Sequence, residues 1–248
     1  MKHITPRRLA VATLLAFGAG LAPLAQAMPS AYTITVTGTI TDGEDLGGLF
    51  GFAPNTNHLL TGEAFSAVYT VNTQLGHILD NDPETRSIYG GTATPYLGPV
   101  SAVLTIHGSS FTLLGQADSG NVRIKNMAAV QDLINTHVKD GDPTFFYDQL
   151  NTDVQSLKHA FLPSLALDSA FSYTLQPDDF ASGSFVIKTT TPAGSPYNYY
   201  EADGRLSIQT ISVASLGGAV PSVPEPGSLM LCGVGLAAIS LARRRRRD

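Results

Sequence analysis

The sequence predicts an all-β protein, a two-sheet β-sandwich of jelly-roll type carrying one or two short helices. Three observations lead there. Apolar residues alternate with Ser and Thr at period two in several separate stretches, the pattern of half-buried strands. Glycine (24 residues) and proline (15) are frequent enough to supply a turn between each pair of stretches. The only cysteine, Cys232, lies far down the chain in an apolar segment, so the body must be held by packing rather than by disulfides.

The elements follow in order. Residues 32–41 set Tyr32, Ile34, Val36, Gly38 and Ile40 on one face and threonines on the other, and Asp42-Gly43 closes the strand with turn chemistry. Residues 63–73 repeat the alternation with Phe65, Ala67, Tyr69 and Val71 inward. Residues 100–107 and 110–114 flank Gly108-Ser109, which reads as a hairpin turn. A short strand at 121–126 turns Val122 and Ile124 inward, and 171–175, 183–189 and 204–214 complete the set. One stretch has a different period. Met127, Val130, Ile134 and Val138 recur at helical spacing before Gly141, which predicts a helix of about three turns, or else an irregular loop over one end of the core. Residues 157–167, interrupted by Pro163, suit a second helical turn. Many strands joined by Gly- and Pro-rich turns favour two packed sheets.

Both ends of the chain differ from this body. Lys2, Arg7 and Arg8 precede an apolar run at 9–24 and the small-residue site Ala25-Gln26-Ala27, so residues 1–27 read as a secretory signal peptide cut after Ala27. The extracellular domain is then 28–214, followed by a flexible spacer at 215–222 and a tail at 223–248. The tail has three parts. Val223, Pro224, Glu225 and Pro226 form a short motif in which each proline holds its predecessor extended, presenting one carboxylate to a protease groove. Residues 229–242 are uncharged and would span about 21 Å as a helix, short of the ~30 Å bilayer core. Arg243, Arg244, Arg245, Arg246 and Arg247 resist crossing and act as a stop-transfer block that stays cytoplasmic.

This order of Pro-Glu-Pro, short apolar run and terminal arginines resembles the PEP-CTERM sorting signal of Gram-negative bacteria that make extracellular polysaccharide. The resemblance implies a partner, a membrane protease-transpeptidase of the exosortase type. It also implies a route: export, an intermediate anchored in the inner membrane through the tail, then the cell surface or the extracellular space. More loosely, T-V-T-G-T-I-T-D-G at 35–43, G-G-L-F-G-F at 47–52 and L-T-G-E-A-F-S-A-V-Y-T-V-N-T at 60–73 resemble the β-sandwich domains often joined to this tail. That likeness implies architecture and location, and no catalytic residues.

Composition narrows the chemistry. The whole chain carries a net charge of −5, but signal peptide and tail hold eight of its fifteen basic residues, leaving the domain near −11. Such a surface repels nucleic acid, which is not expected as a partner. None of His58, His77, His107, His137 and His159 falls in a metal-binding spacing, and no nucleophile elbow or phosphate loop is present, so no enzyme activity and no cofactor are expected. Acidic loops at 42–45, 80–82, 140–142 and 178–179 suit solvated turns, with a structural calcium site as the alternative. Tyr197, Tyr199 and Tyr200 form an aromatic run that suits carbohydrate binding or edge-strand packing equally. The leading expectation is a structural or exopolysaccharide-associated surface protein, with a carbohydrate-binding module second and a secreted hydrolase third. The mature protein should begin at Met28, and peptide mass analysis of exported material should find no fragment from 9–24.

Overall fold

The computed structural model describes residues 31–53, 58–91, 94–115, 119–127, 131–142, 146–165, 170–188 and 200–216. The signal peptide and the sorting tail expected from the sequence lie outside these residues. The described chain runs through β1 (Ala31–Asp45), β2 (His58–Leu59), β3 (Ala64–Asn72), β4 (His77–Asn81), β5 (Thr85–Gly90), β6 (Val100–Ile106) and β7 (Ser109–Leu113). It continues through β8 (Ser119–Met127), β9 (Gln131–Asp142), β10 (Phe146–Ser156), β11 (Phe171–Thr174), β12 (Phe180–Lys188) and β13 (Tyr200–Ser215).

These strands form one antiparallel sheet in the order β4-β5-β8-β9-β10-β12-β13-β1-β3-β6-β7, with β11 also on β13 and β2 on β1. The expected all-β class holds, and the expected two-sheet sandwich does not: a single sheet curls into a half-barrel around its own core. Period-two alternation gives each strand an apolar face but does not state how many sheets share the core. The curl brings β7 toward β9 and β10. Just beyond β7, the Leu114 amide donates to Asp140 of β9 at 3.1 Å.

The β1–β13 pair shows how the curl is built. Two register shifts interrupt it, one leaving Gln209 and the other Thr41 without an opposite residue. Each bulge bends its strand and raises the local twist. The Gln209 bulge also resets parity, so that Ala202, Leu206 and Ile208 before it and Ile211 and Val213 after it all face inward. A Cβ on Gly38 would lie 1.9 Å from the Ser207 carbonyl oxygen, so the strands meet there only because this residue has no side chain.

No helix occurs among the described residues. The expected helix through Met127, Val130, Ile134 and Val138 is instead the end of β8 and the strand β9; Val130 itself lies outside the described residues. A spacing of four satisfies both a helix and a strand, and the other inward positions of β9 are the polar Asp132 and Thr136, which hid period two. The expected helical turn in 157–167 is a non-helical segment over 157–165, with the rest outside the described residues. The β6–β7 turn is His107-Gly108, with φ of 50° and 79°, one residue earlier than expected; Ser109 already pairs with Ile106.

Two buried carboxylates pin apolar loops onto the opposite rims of the sheet. Asp45 accepts the amides of Leu49 (3.0 Å) and Phe50 (2.9 Å), seating Phe50 against Phe185 with ring centroids 5.9 Å apart. Asp132 accepts the amides of Phe161 and Leu162, and both side chains enter the core. Replacing Asp45 with Ala strands two amides and should cost about 3 kcal/mol in urea unfolding of the full chain, whereas exposed Thr112→Ala should stay within about 0.5 kcal/mol.

Candidate functional site

The densest polar cluster lies where the segment after β10 meets the turn before β12. Ser156, buried, accepts the amides of Lys158 (3.3 Å) and His159 (2.8 Å). His159 Nδ1 lies 3.1 Å from an Asp179 oxygen and 3.5 Å from Ser156 Oγ. The other Asp179 oxygen accepts the Tyr173 hydroxyl at 2.6 Å and the Gln176 amide at 2.7 Å. Ser, His and Asp stand together, but a nucleophile relay needs serine and aspartate on different ring nitrogens. Here both approach Nδ1, and Ser156 Oγ serves backbone amides. The cluster is a turn lock beside a cavity of about 200 Å³ lined by Asn126, Gln131, Asp132, Lys158 and His159. The S-x-x-H spacing of Ser156 and His159 was its only sequence signal.

The acidic loops are largely engaged within the fold. Asp45 holds the 46–53 loop, Asp80 accepts the Ser87 hydroxyl at 2.7 Å, and Asp82 accepts the amides of Glu84 and Thr85. Asp140 holds Leu114, and Asp178 pairs with Lys158 at 2.6 Å. Among the described residues no three His, Cys, Asp or Glu side chains converge as a metal site. On the rim near Asp45, burial raises the carboxyls of Glu201 and Asp148, with neighbouring carboxylates adding to the rise.

The outer face of the sheet carries an open depression of about 540 Å³ over β4, β5, β8 and β9. Antiparallel register sets Tyr89 beside Asn121, and Ser87 beside Arg123 and then Asn135; these residues line the depression with Leu79 and Asp80. At one end Tyr89 meets His77 edge-on at 5.6 Å and Tyr96 at 6.1 Å, while His77 and Tyr96 stack at 4.6 Å and 12°. On the next strand, Asn135 donates to Asp153 at 3.5 Å; the second Asp153 oxygen is buried without a partner, and burial raises this carboxyl. Of the tyrosine run that suited carbohydrate binding and edge-strand packing equally, Tyr197 and Tyr199 lie outside the described residues and Tyr200 opens β13.

The sequence-predicted processing residues all lie outside the described residues: Ala25 and Ala27, Val223 to Pro226, and Arg243 to Arg247. No described helix is long and apolar enough to cross a membrane. The structure does place their points of attachment. The Leu216 amide donates to the Ala31 carbonyl at 3.1 Å, so the chain enters and leaves the sheet side by side on one rim.

Residues 222–247 match the family model of the PEP-CTERM protein-sorting motif. The chain carries that sorting motif, as its proline, apolar and arginine pattern implied. The motif implies export, a membrane-anchored intermediate and processing by exosortase, a membrane enzyme. No curated protein and no solved structure matches the chain.

The turn lock sets an acid limit. Burial pushes Asp179 up, but the nearby Ser156 hydroxyl and the hydrogen bonds from Tyr173, the Gln176 amide and His159 outweigh it and hold the carboxyl at about 2. A carboxyl held below its ordinary value of about 3.9 contributes stability above that pH and loses it as pH falls through the folded value. Urea midpoints of the full chain should therefore drop between about pH 4 and pH 2, and Asp179→Asn should flatten that drop while lowering the midpoint at pH 7.

Proposed function

We propose that this protein is a non-catalytic component of the cell surface or extracellular matrix, exported by its N-terminal signal and held briefly in the inner membrane by its tail. An exosortase-type enzyme then processes it, and it is retained in the extracellular polysaccharide layer. The observation that carries this reading is the sorting motif at 222–247, matched over all three of its parts. The shared rim of Ala31 and Leu216 supports it. Only residues 217–223 separate Leu216 from the Pro-Glu-Pro motif, a reach of at most about 25 Å. During arrest that rim faces the membrane and the opposite rim, closed by the Asp45-held loop, faces away. A domain near −11 with no cysteine also suits an exported protein that stays soluble near anionic lipid without disulfides.

Two variants in a host with the exosortase separate the steps. Replacing Arg243 to Arg247 with Ser removes the barrier to crossing, and a fourteen-residue apolar run alone is marginal, so unprocessed protein should appear in the medium. Replacing Pro224, Glu225 and Pro226 with Ala should preserve arrest and block processing, so that full-length protein collects in the inner membrane on immunoblots. Normal processing of this second variant would reduce the tail to a plain anchor.

A further inference from the structure

We propose that the outer face of β4, β5, β8 and β9 binds a neutral polysaccharide chain lying across the strands. This deepens the reading above, because it names what would retain the protein in the extracellular layer.

The two halves of the outer face differ in a way that strand stability does not explain. Over β1, β3 and β6 most outward positions are residues a strand prefers, Thr33, Thr35, Thr37, Val68, Thr70, Val103 and Thr105, with Ser66 and Ser101 among them and an asparagine, Asn72, only at the end of β3. Over β8 and β9 they include Asn121, Arg123 and Asn135 in mid-strand. Asparagine is depleted from strands because its side chain competes for backbone hydrogen bonds. Holding Asn135 directly opposite Arg123, with Asn121 at the next outward position of β8, runs against local preference. It suits a ligand that needs those groups.

The chemistry of the depression points to a sugar. Planar amides and a guanidinium offer paired donors and acceptors that match vicinal hydroxyls. The Tyr89, Tyr96 and His77 group at one end offers ring surface for the apolar C–H face of a sugar ring, with Tyr hydroxyls as polar handles. Exposed Leu79 adds apolar surface to the lining. Neighbouring strands lie ~4.8 Å apart, so the four strands span about 14 Å, room for about three hexose units lying across them. The domain balance near −11 disfavours a uronic-acid polymer and any other polyanion.

The test uses the full chain purified in detergent, titrated by calorimetry with neutral hexose oligosaccharides of two to six units and with uronate oligosaccharides of equal length. Binding to at least one neutral series is expected, strengthening from the dimer to the tetramer. Asn121→Thr introduces a better strand former and leaves the Asn135–Asp153 hydrogen bond in place, so the thermal midpoint should hold or rise while affinity falls at least tenfold. Tyr96→Ala, at a loop position, should weaken binding with the midpoint lowered only by the loss of its ring contacts to His77 and Tyr89, and serves if the first variant does not fold. Thr35→Ala with Thr70→Ala, on the other half of the face, should leave affinity unchanged. No binding to any neutral series, binding to uronates alone, or affinity unchanged in both depression variants would overturn the proposal. The titration needs no exosortase, so a failure of the sorting reading appears separately, in processing.

Discussion

The pairing of β1 with β13 is the constraint on which the rest of the sheet depends. It joins the first described strand to the last, from Tyr32 opposite Ser215 to Asp45 opposite Ala202. Every other strand is attached outward from this seam, β3-β6-β7 on one side and β12-β10-β9-β8-β5-β4 on the other. The seam joins residues about as far apart in sequence as the described chain allows. Its loop-closure entropy is therefore met by the contacts of the whole domain, and folding of this kind is expected to be slow. Its two bulges also shape the fold: they keep the apolar face inward on a strand that bends, and the bend makes one sheet able to enclose a core.

A curled sheet has two open rims, and a chain with no cysteine in its domain must close them without covalent staples. The two aspartates do this in the same way. Each carboxylate is withdrawn from water and takes two successive backbone amides, so its desolvation is offset by charge-assisted hydrogen bonds. The loop held by each delivers aromatic or aliphatic side chains to the core. Near the centre, the Thr136–Thr152 hydroxyl pair at 2.8 Å faces the hydroxyl of the wholly buried Tyr69. The interior is thus polar at a few points, among them Asp45 of β1, Tyr69 of β3, Thr136 of β9 and Thr152 of β10.

The sorting signal and the folded domain are separated along this chain. The sorting motif is a linear signal that implies processing by a membrane enzyme, and it lies in the order of its parts. The domain supplies a stable acidic body whose entry and exit share one rim. The binding surface proposed above, made from outward side chains on several strands, would leave the core free to close the fold, because a residue that faces out of a strand is not one that faces in.

The sequence by itself determined the all-β class, the strands with apolar alternation and the sorting tail. Tyr32 to Ile40 and Phe65 to Val71 could be placed because their inward residues are apolar at every second position. The tail could be placed because its meaning lies in linear order. β9 and β10 were hidden because Asp132, Thr136, Thr152 and Ser156 occupy inward positions, where periodicity looks only for apolar residues. The number of sheets, the bulges at Thr41 and Gln209, and the assembly of Ser156 with Asp179 were decided by tertiary structure alone. So was the grouping of Tyr89, Asn121, Arg123 and Asn135. A strand's sequence fixes which way its side chains alternate, but register between distant strands decides which side chains become neighbours.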